Sequence, residues 1–171
     1  MERVTDKYVF FWNGEFSNWH ECRLPFIKYK GITFFNSEQA FMWEKALFFG
    51  DMLAAQNIVK DPDPARCKRI GRMIDGFDAQ KWSEVSYDIM VAVNYAKYDQ
   101  SSRLRRTLFE TNDKIIVEAS PYDTIWGIGL RAEDDDCLDP AKWKGQNLLG
   151  KALMEVRKQL IKKYGYEHEY E

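Results

Sequence analysis

Residues 26–50 read FIKYKGITFFNSEQAFMWEKALFFG, and the pattern changes once inside that stretch. Phe26–Tyr29 and Ile32–Phe35 are rich in aromatic and β-branched residues and flank Lys30-Gly31, which predicts a hairpin. From Asn36 onward the pattern is helical. Asn36 or Ser37 is a good N-cap, and Glu38 and Gln39 fall in the first turn, where the helix dipole favours negative charge. Good helix formers follow through Phe49, and Gly50 is a natural stop. A strand pair running directly into a helix sets the class as α+β.

Elements on either side fit that class. Tyr8–Trp12 reads as a strand ending at Asn13-Gly14. Asp51 caps a short helix to about Val59, and Asp61-Pro62-Asp63-Pro64 breaks it, with Pro64 suited to the first turn of the next helix. Asp78 caps a long helix on which Trp82, Val85, Ile89, Val93 and Ala96 recur at three- and four-residue spacing, a stripe expected in the core. Ser101 or Ser102 opens a helix through Phe109. Ile115-Ile116-Val117 is a short strand, and Arg131–Lys144, acidic at Glu133–Asp136, reads as a solvated surface loop. Asn147 is expected to cap the last helix, whose apolar face is Leu149, Leu153, Val156 and Leu160. The tail after Lys163 is expected to fray. The expectation is a single, mostly helical domain with a small antiparallel sheet, covering residues 1–171 with its core at about 8–162.

At 171 residues, 45% of them hydrophobic and 15% aromatic, the chain has enough material for one sizeable core. A net charge of −2 argues against bulk attraction to nucleic acid or anionic membrane. Cys22, Cys67 and Cys137 are scattered without C-x-x-C spacing, and His20 and His168 are far apart, so structural zinc and a disulfide framework are not expected. The charged start lacks the apolar run of a signal peptide and no stretch approaches a membrane span, so a cytoplasmic location is expected.

Several residues could carry chemistry. Seven helical residues take the chain through about two turns, which puts Glu38 and Lys45 on one face with Phe41 and Met42 between them. That pairing suits catalysis; equally, Glu38 could serve the helix dipole while Lys45 snorkels into water. In Ser120–Gly129, Gly127 and Gly129 permit either close approach to a ligand or unusual dihedrals. There, Trp126 is a binding wall or a core plug, and Asp123 an acid/base or a turn residue bonding its own backbone. Asn18 and Asn147 lie in loop segments, where their amides bind a ligand or act as caps. Arg66, Arg69 and Arg72 form a basic stripe that suits a phosphate or a solvated face.

Four segments in this order, F-S-N (Phe16–Asn18), S-E-x6-K (Ser37–Lys45), E-A-S-P-Y-D-x-x-W-G-x-G (Glu118–Gly129) and N-L-L-G-K-x-L-M-x-x-R (Asn147–Arg157), resemble the NADAR family, also called YbiA-like N-glycosidases. The similarity covers about Tyr8 to Lys162. Trp19 and Gln39 stand where the family pattern usually has Phe and a histidine-like residue, a departure expected to tune the substrate pocket. The resemblance implies hydrolysis of a C–N bond between a ribose anomeric carbon and a nitrogen. Its two substrate classes are phosphorylated ribosylamino-pyrimidine intermediates of riboflavin synthesis and ADP-ribose attached to guanine. Glu38, Trp82 and Asp123 match positions implicated in catalysis, and Lys45 matches the motif lysine. Asn18, Trp126, Gly127, Gly129, Asn147 and Arg72 are the expected substrate-binding residues. The implied partners are a small phosphorylated ribosyl or ADP-ribosyl substrate and, as a further class, ADP-ribosylated nucleic acid. No membrane partner, cofactor or metal is indicated. A non-catalytic ADP-ribose- or NAD-binding module is the alternative.

The expected chemistry contains a conflict. The anomeric carbon is at the oxidation level of an aldehyde, so a neutral lysine amine can open the ribose and form an imine. Glu38 or Asp123 would move protons, and Trp82 and Trp126 would stack on the base or sugar. But a free lysine titrates near ~10.4, and an ionised carboxylate beside it raises that value. Either burial by Phe41, Met42 and the tryptophans outweighs Glu38, or Glu38 is itself protonated.

Overall fold

The computed structural model describes residues 2–166. Its strands and α-helices in chain order are β1 (Glu2–Val4), β2 (Tyr8–Phe11), β3 (Ile27–Tyr29), β4 (Ile32–Phe34), α1 (Ser37–Phe48), α2 (Met52–Val59), α3 (Pro64–Arg72), α4 (Ala79–Asp99), α5 (Ser102–Phe109), β5 (Ile115–Glu118) and α6 (Leu148–Tyr164), with two short 3-10 helices, Asp135–Leu138 and Pro140–Lys142, before α6. The fold is α+β. Its contacts fall into two compact units, one formed by Met1–Ser17 with Ser102–Glu171 and the other by Asn18–Ser101. Of the polar tail after Lys163, residues 167–171, including His168, lie outside the described residues.

In the unit Asn18–Ser101, β3 and β4 pair antiparallel with Tyr29 opposite Ile32. Lys30 and Gly31 both have positive φ, the two-residue turn whose twist matches the strands it joins. The four helices that follow begin as their caps dictate. Asn36 accepts from the Gln39 amide at 2.8 Å, Asp51 from Ala54, Asp63 from Ala65 and Arg66, and Asp78 from Lys81. Each cap satisfies donors the helix cannot pair internally and is worth about 1 kcal/mol. Helix α1 is the centre of this unit and packs on α2, α3 and α4. It is buried without a break from Ser37 to Glu44.

Helix α4 corrects the expected core stripe. Only Val93 of that stripe is fully buried; Trp82, Val85, Ile89 and Ala96 are half-buried. The face that turns inward is Ser86, Met90, Val93, Asn94, Lys97 and Tyr98. Apolar spacing alone misassigned it, because the neighbouring elements supply hydrogen-bond partners that make a polar face acceptable inside.

In the other unit, β1 runs antiparallel to β2, and β2 runs parallel to β5 with Tyr8 opposite Ile115 and Phe11 opposite Glu118. The three-stranded sheet is therefore mixed; the purely antiparallel pair is the hairpin of β3 and β4. A parallel pair needs a long crossover, and here the whole of Asn18–Ser101 lies in it. Tyr8, Phe10 and Val117 form a core with Ala119, Ile128, Leu130, Ala132 and Cys137. The last two lie in the stretch expected to be a solvated loop. Glu133–Asp136 are exposed as the charge run predicts, but Cys137 is fully buried and Trp143 donates its indole N–H to the Cys137 carbonyl at 2.7 Å. Helix α6 packs on β5 through the expected face of Leu149, Leu153, Val156 and Leu160. Arg157 is buried beside it and donates to Thr111 and the Lys114 carbonyl.

Candidate active site

Helix α1 brings Glu38, Phe41, Met42 and Lys45 onto one face as its period requires. Glu38 is only 8% exposed, and its backbone N–H donates to the Asn18 carbonyl at 2.9 Å. Two turns on, Lys45 is half-buried. Its Nζ donates to the Gly71 carbonyl at 2.8 Å and stands 4.4 Å from the centre of the Phe77 ring. At this crossing a Cβ on Gly71 would run into the Met42 thioether, which would have to move aside.

An aromatic group adjoins Lys45. Phe77 packs on Phe49 at 5.4 Å, and Trp82 lies 5.2 Å from Phe41, 6.0 Å from Phe48 and 6.2 Å from Phe49. Burial among these groups pulls the Lys45 amine below its ordinary value, and this exceeds the opposite pull of Glu38; the nearby Arg72 lowers it further. Of the two ways out of the conflict, burial of Lys45 acts in the direction required.

Around the start of α1, polar side chains close on one another. Asn94, fully buried on α4, donates to Asn18 Oδ1 at 3.3 Å and accepts from the Ser37 hydroxyl at 3.4 Å. Asn18 in turn donates to the Met90 thioether at 3.3 Å. Gln39 is fully buried. Its amide accepts from Phe35 N–H and donates to the carbonyls of Ile58 and Asp61, a clamp closed on backbone. Trp19, by contrast, is 46% exposed, with the Lys68 ammonium 6.0 Å from its ring centre. In the arginine stripe Arg66 is tied to Asp61 and Asp63, whereas Arg69 and Arg72 are exposed.

The expected residues Asp123, Trp126, Gly127, Gly129 and Asn147 lie in the other unit, where they knit a turn to the start of α6. Asp123 Oδ1 accepts from the amides of Ile125 and Trp126, the turn geometry its residue type favours. Gly127 is hemmed in by the Asp123 and Glu118 carbonyls, and Gly129, at φ +69°, by Lys144. Asn147 does not cap α6 with its side chain. It sits at positive φ, 1% exposed, accepting from Glu118 N–H and donating to the Ile116 carbonyl. The orphan donors of α6 are met instead by backbone: Leu148 and Leu149 donate to the carbonyls of Ile125 and Trp126. Packing thus accounts for both glycines and for Asn147.

Sequence reading missed Asn94, Lys97 and Lys68. For Lys97 a signal existed, since it lies four residues from Val93 on the face that turns inward.

The model of the NADAR domain matches residues 10–161. The chain belongs to the NADAR domain family. Among NADAR relatives, an N-glycosidase of Acanthamoeba polyphaga mimivirus is 38% identical over 167 residues, covering 91% of this chain and 97% of the relative. The N-glycosidase YbiA of Escherichia coli is 32% identical, with 86% of this chain and 81% of that protein covered. The NMR structure of E. coli YbiA superposes with a TM-score of 0.74 at 29% identity, covering 99% of this chain and 94% of that one. A chloroplastic riboflavin biosynthesis protein of Zea mays is 29% identical over a match that spans only 23% of its length. No helix among the described residues is long and apolar enough to cross a membrane.

Proposed function

We propose that this NADAR chain hydrolyses the bond between a ribose anomeric carbon and a base nitrogen, with Lys45 as the nucleophile. It is an enzyme, a hydrolase acting on N-glycosyl compounds, as the names of its relatives give the class. The observation that carries the mechanism is the Lys45 amine itself. It is held by one carbonyl, sits beside an aromatic group, and is easier to deprotonate than an ordinary lysine although a carboxylate shares its helix face. A larger neutral fraction near pH 7 is what a lysine nucleophile needs. A module that only binds ADP-ribose or NAD has no use for it.

In the proposed reaction the Lys45 nitrogen bonds to the anomeric carbon as the ribose ring opens, and the base nitrogen leaves with a proton. Water then adds to the imine and releases the sugar, returning the amine. Glu38 is the principal proton donor and acceptor, with Asp123 as the second candidate. Trp82, with Phe41, Phe48 and Phe49, offers an aromatic wall for the base or sugar plane, and Trp126 is a further one. We take both units as parts of one domain, because the family match runs across both.

The substrates proposed are the phosphorylated ribosylamino-pyrimidine intermediates of riboflavin synthesis, or ADP-ribosylated guanine. The name of the Zea mays relative favours the first. Offering both substrates in one product assay separates them. Borohydride added during turnover is expected to trap a covalent sugar on Lys45, detected by peptide mass spectrometry. Full activity in Lys45→Arg would refute the mechanism.

A further inference from the structure

The cations of α3 are of two kinds. Arg66 is neutralised, 2.7 Å from Asp61 and 3.2 Å from Asp63. Lys68, Arg69 and Arg72 make no ion pair with any described residue. Lys68 and Arg72 are four residues apart, so they share one face of the helix, separated by about 6 Å along its axis. Arg69 is turned about 100° from Lys68.

That shared face has fixed neighbours. Arg72 follows Gly71, whose carbonyl holds the Lys45 amine, and its charge acts on that amine. Lys68 stands over Trp19, and the adjacent Asn18 carbonyl accepts the Glu38 amide. The two cations therefore flank α1 from the Lys45 end toward the Glu38 end. A ribose with its anomeric carbon at Lys45 has its 5-phosphoryl group about one helical turn away, where a guanidinium fork and a lysine point charge can share it.

We propose that Lys68 and Arg72 form the phosphate-binding edge of this site, recognising the 5-phosphoryl group of the ribose, whether a monoester or part of a pyrophosphate. The proposal rests on Lys45 as the nucleophile. Trp19 lies beside Lys68, its ring centre 6.0 Å from the ammonium, at the outer reach of a cation–π contact. Arg66 takes no part.

The test is calorimetric titration and competitive inhibition with ribose 5-phosphate, ADP-ribose and ribose. The wild type is expected to prefer a phosphorylated ligand over ribose by at least about tenfold, and Lys68→Gln and Arg72→Gln each to lower that preference about tenfold. Arg66→Gln is expected to keep it. Loss of preference for ribose 5-phosphate or for ADP-ribose supports the edge and tells the monoester from the pyrophosphate. No preference in the wild type, or an unchanged one in both variants with both ligands, overturns it. The calorimetric arm reads binding without turnover. A chain that cleaves no N-riboside but loses its phosphate preference in these variants refutes the function and keeps the edge.

Discussion

Lys45 and Lys97 lie on packed neighbours, α1 and α4, and burial makes both amines easier to deprotonate. The same force acts to different degrees. Lys97 is 2% exposed, its ammonium lies 5.1 Å from the Tyr98 ring centre, and burial brings it down to about 8. Its charge is felt by His20 and Cys22, whose own shifts are dominated by burial. Lys45 is only half-buried, is opposed by Glu38 and assisted by Arg72, and keeps a surface open to a substrate. Burial deep enough to bring an amine down to about 8 also hides it. A nucleophile needs desolvation from aromatic neighbours on one side and access on the other.

The largest effect should come from breaking the accessible member of the pair. Lys45→Arg keeps the charge but not the nucleophile, and kcat/KM is expected to fall by at least about 10³-fold. Lys97→Met is expected to stay within about tenfold of wild type in the same assay. Equal losses in the two would dissolve the distinction.

Next in size is the contest over the Lys45 proton. Rate should rise with pH as Lys45 loses its proton. Glu38 raises that transition and Arg72 lowers it. Glu38→Gln is expected to lose about 10²-fold in kcat and to move the acidic limb to lower pH. Arg72→Gln is expected to move the limb to higher pH. Limbs that stay where they are in both variants would show that neither charge reaches the amine.

The smallest effect is on stability. The folded Lys97 titrates at about 8 against 10.5 as the ordinary value, so below pH 8 the unfolded chain holds the proton more tightly and folding bears that cost in full. The cost fades as pH rises toward 10.5. The Tm difference between Lys97→Met and the wild type should therefore shift in favour of the wild type as pH rises through this window, read by thermal melts. A difference independent of pH would mean that packing, not charge, is responsible.

Much of the fold is legible because its signals are local. Lys30-Gly31 demands its turn, and Asn36, Asp51, Asp63 and Asp78 begin helices wherever short polar side chains precede helix formers. The face shared by Glu38 and Lys45 follows from the helical period alone. The errors lie where partners are distant in sequence. The inward face of α4 depends on Asn18 and Ser37, and the role of Asn147 on β5. The burial of Cys137 depends on Tyr8 and Phe10. Periodicity counts apolar residues and is blind to the acceptor that waits across the core.

By itself, then, the sequence determined most of the element order, the caps at Asn36, Asp51 and Asp78 and the alignment of a carboxylate and an amine along α1, since bond geometry sets all three within a few residues. Whether that amine is held charged was decided by tertiary structure. Gly71, Arg72 and Phe77 reach Lys45 from more than two dozen residues away, and an amine's protonation answers to everything within a few ångströms rather than to its neighbours in the chain.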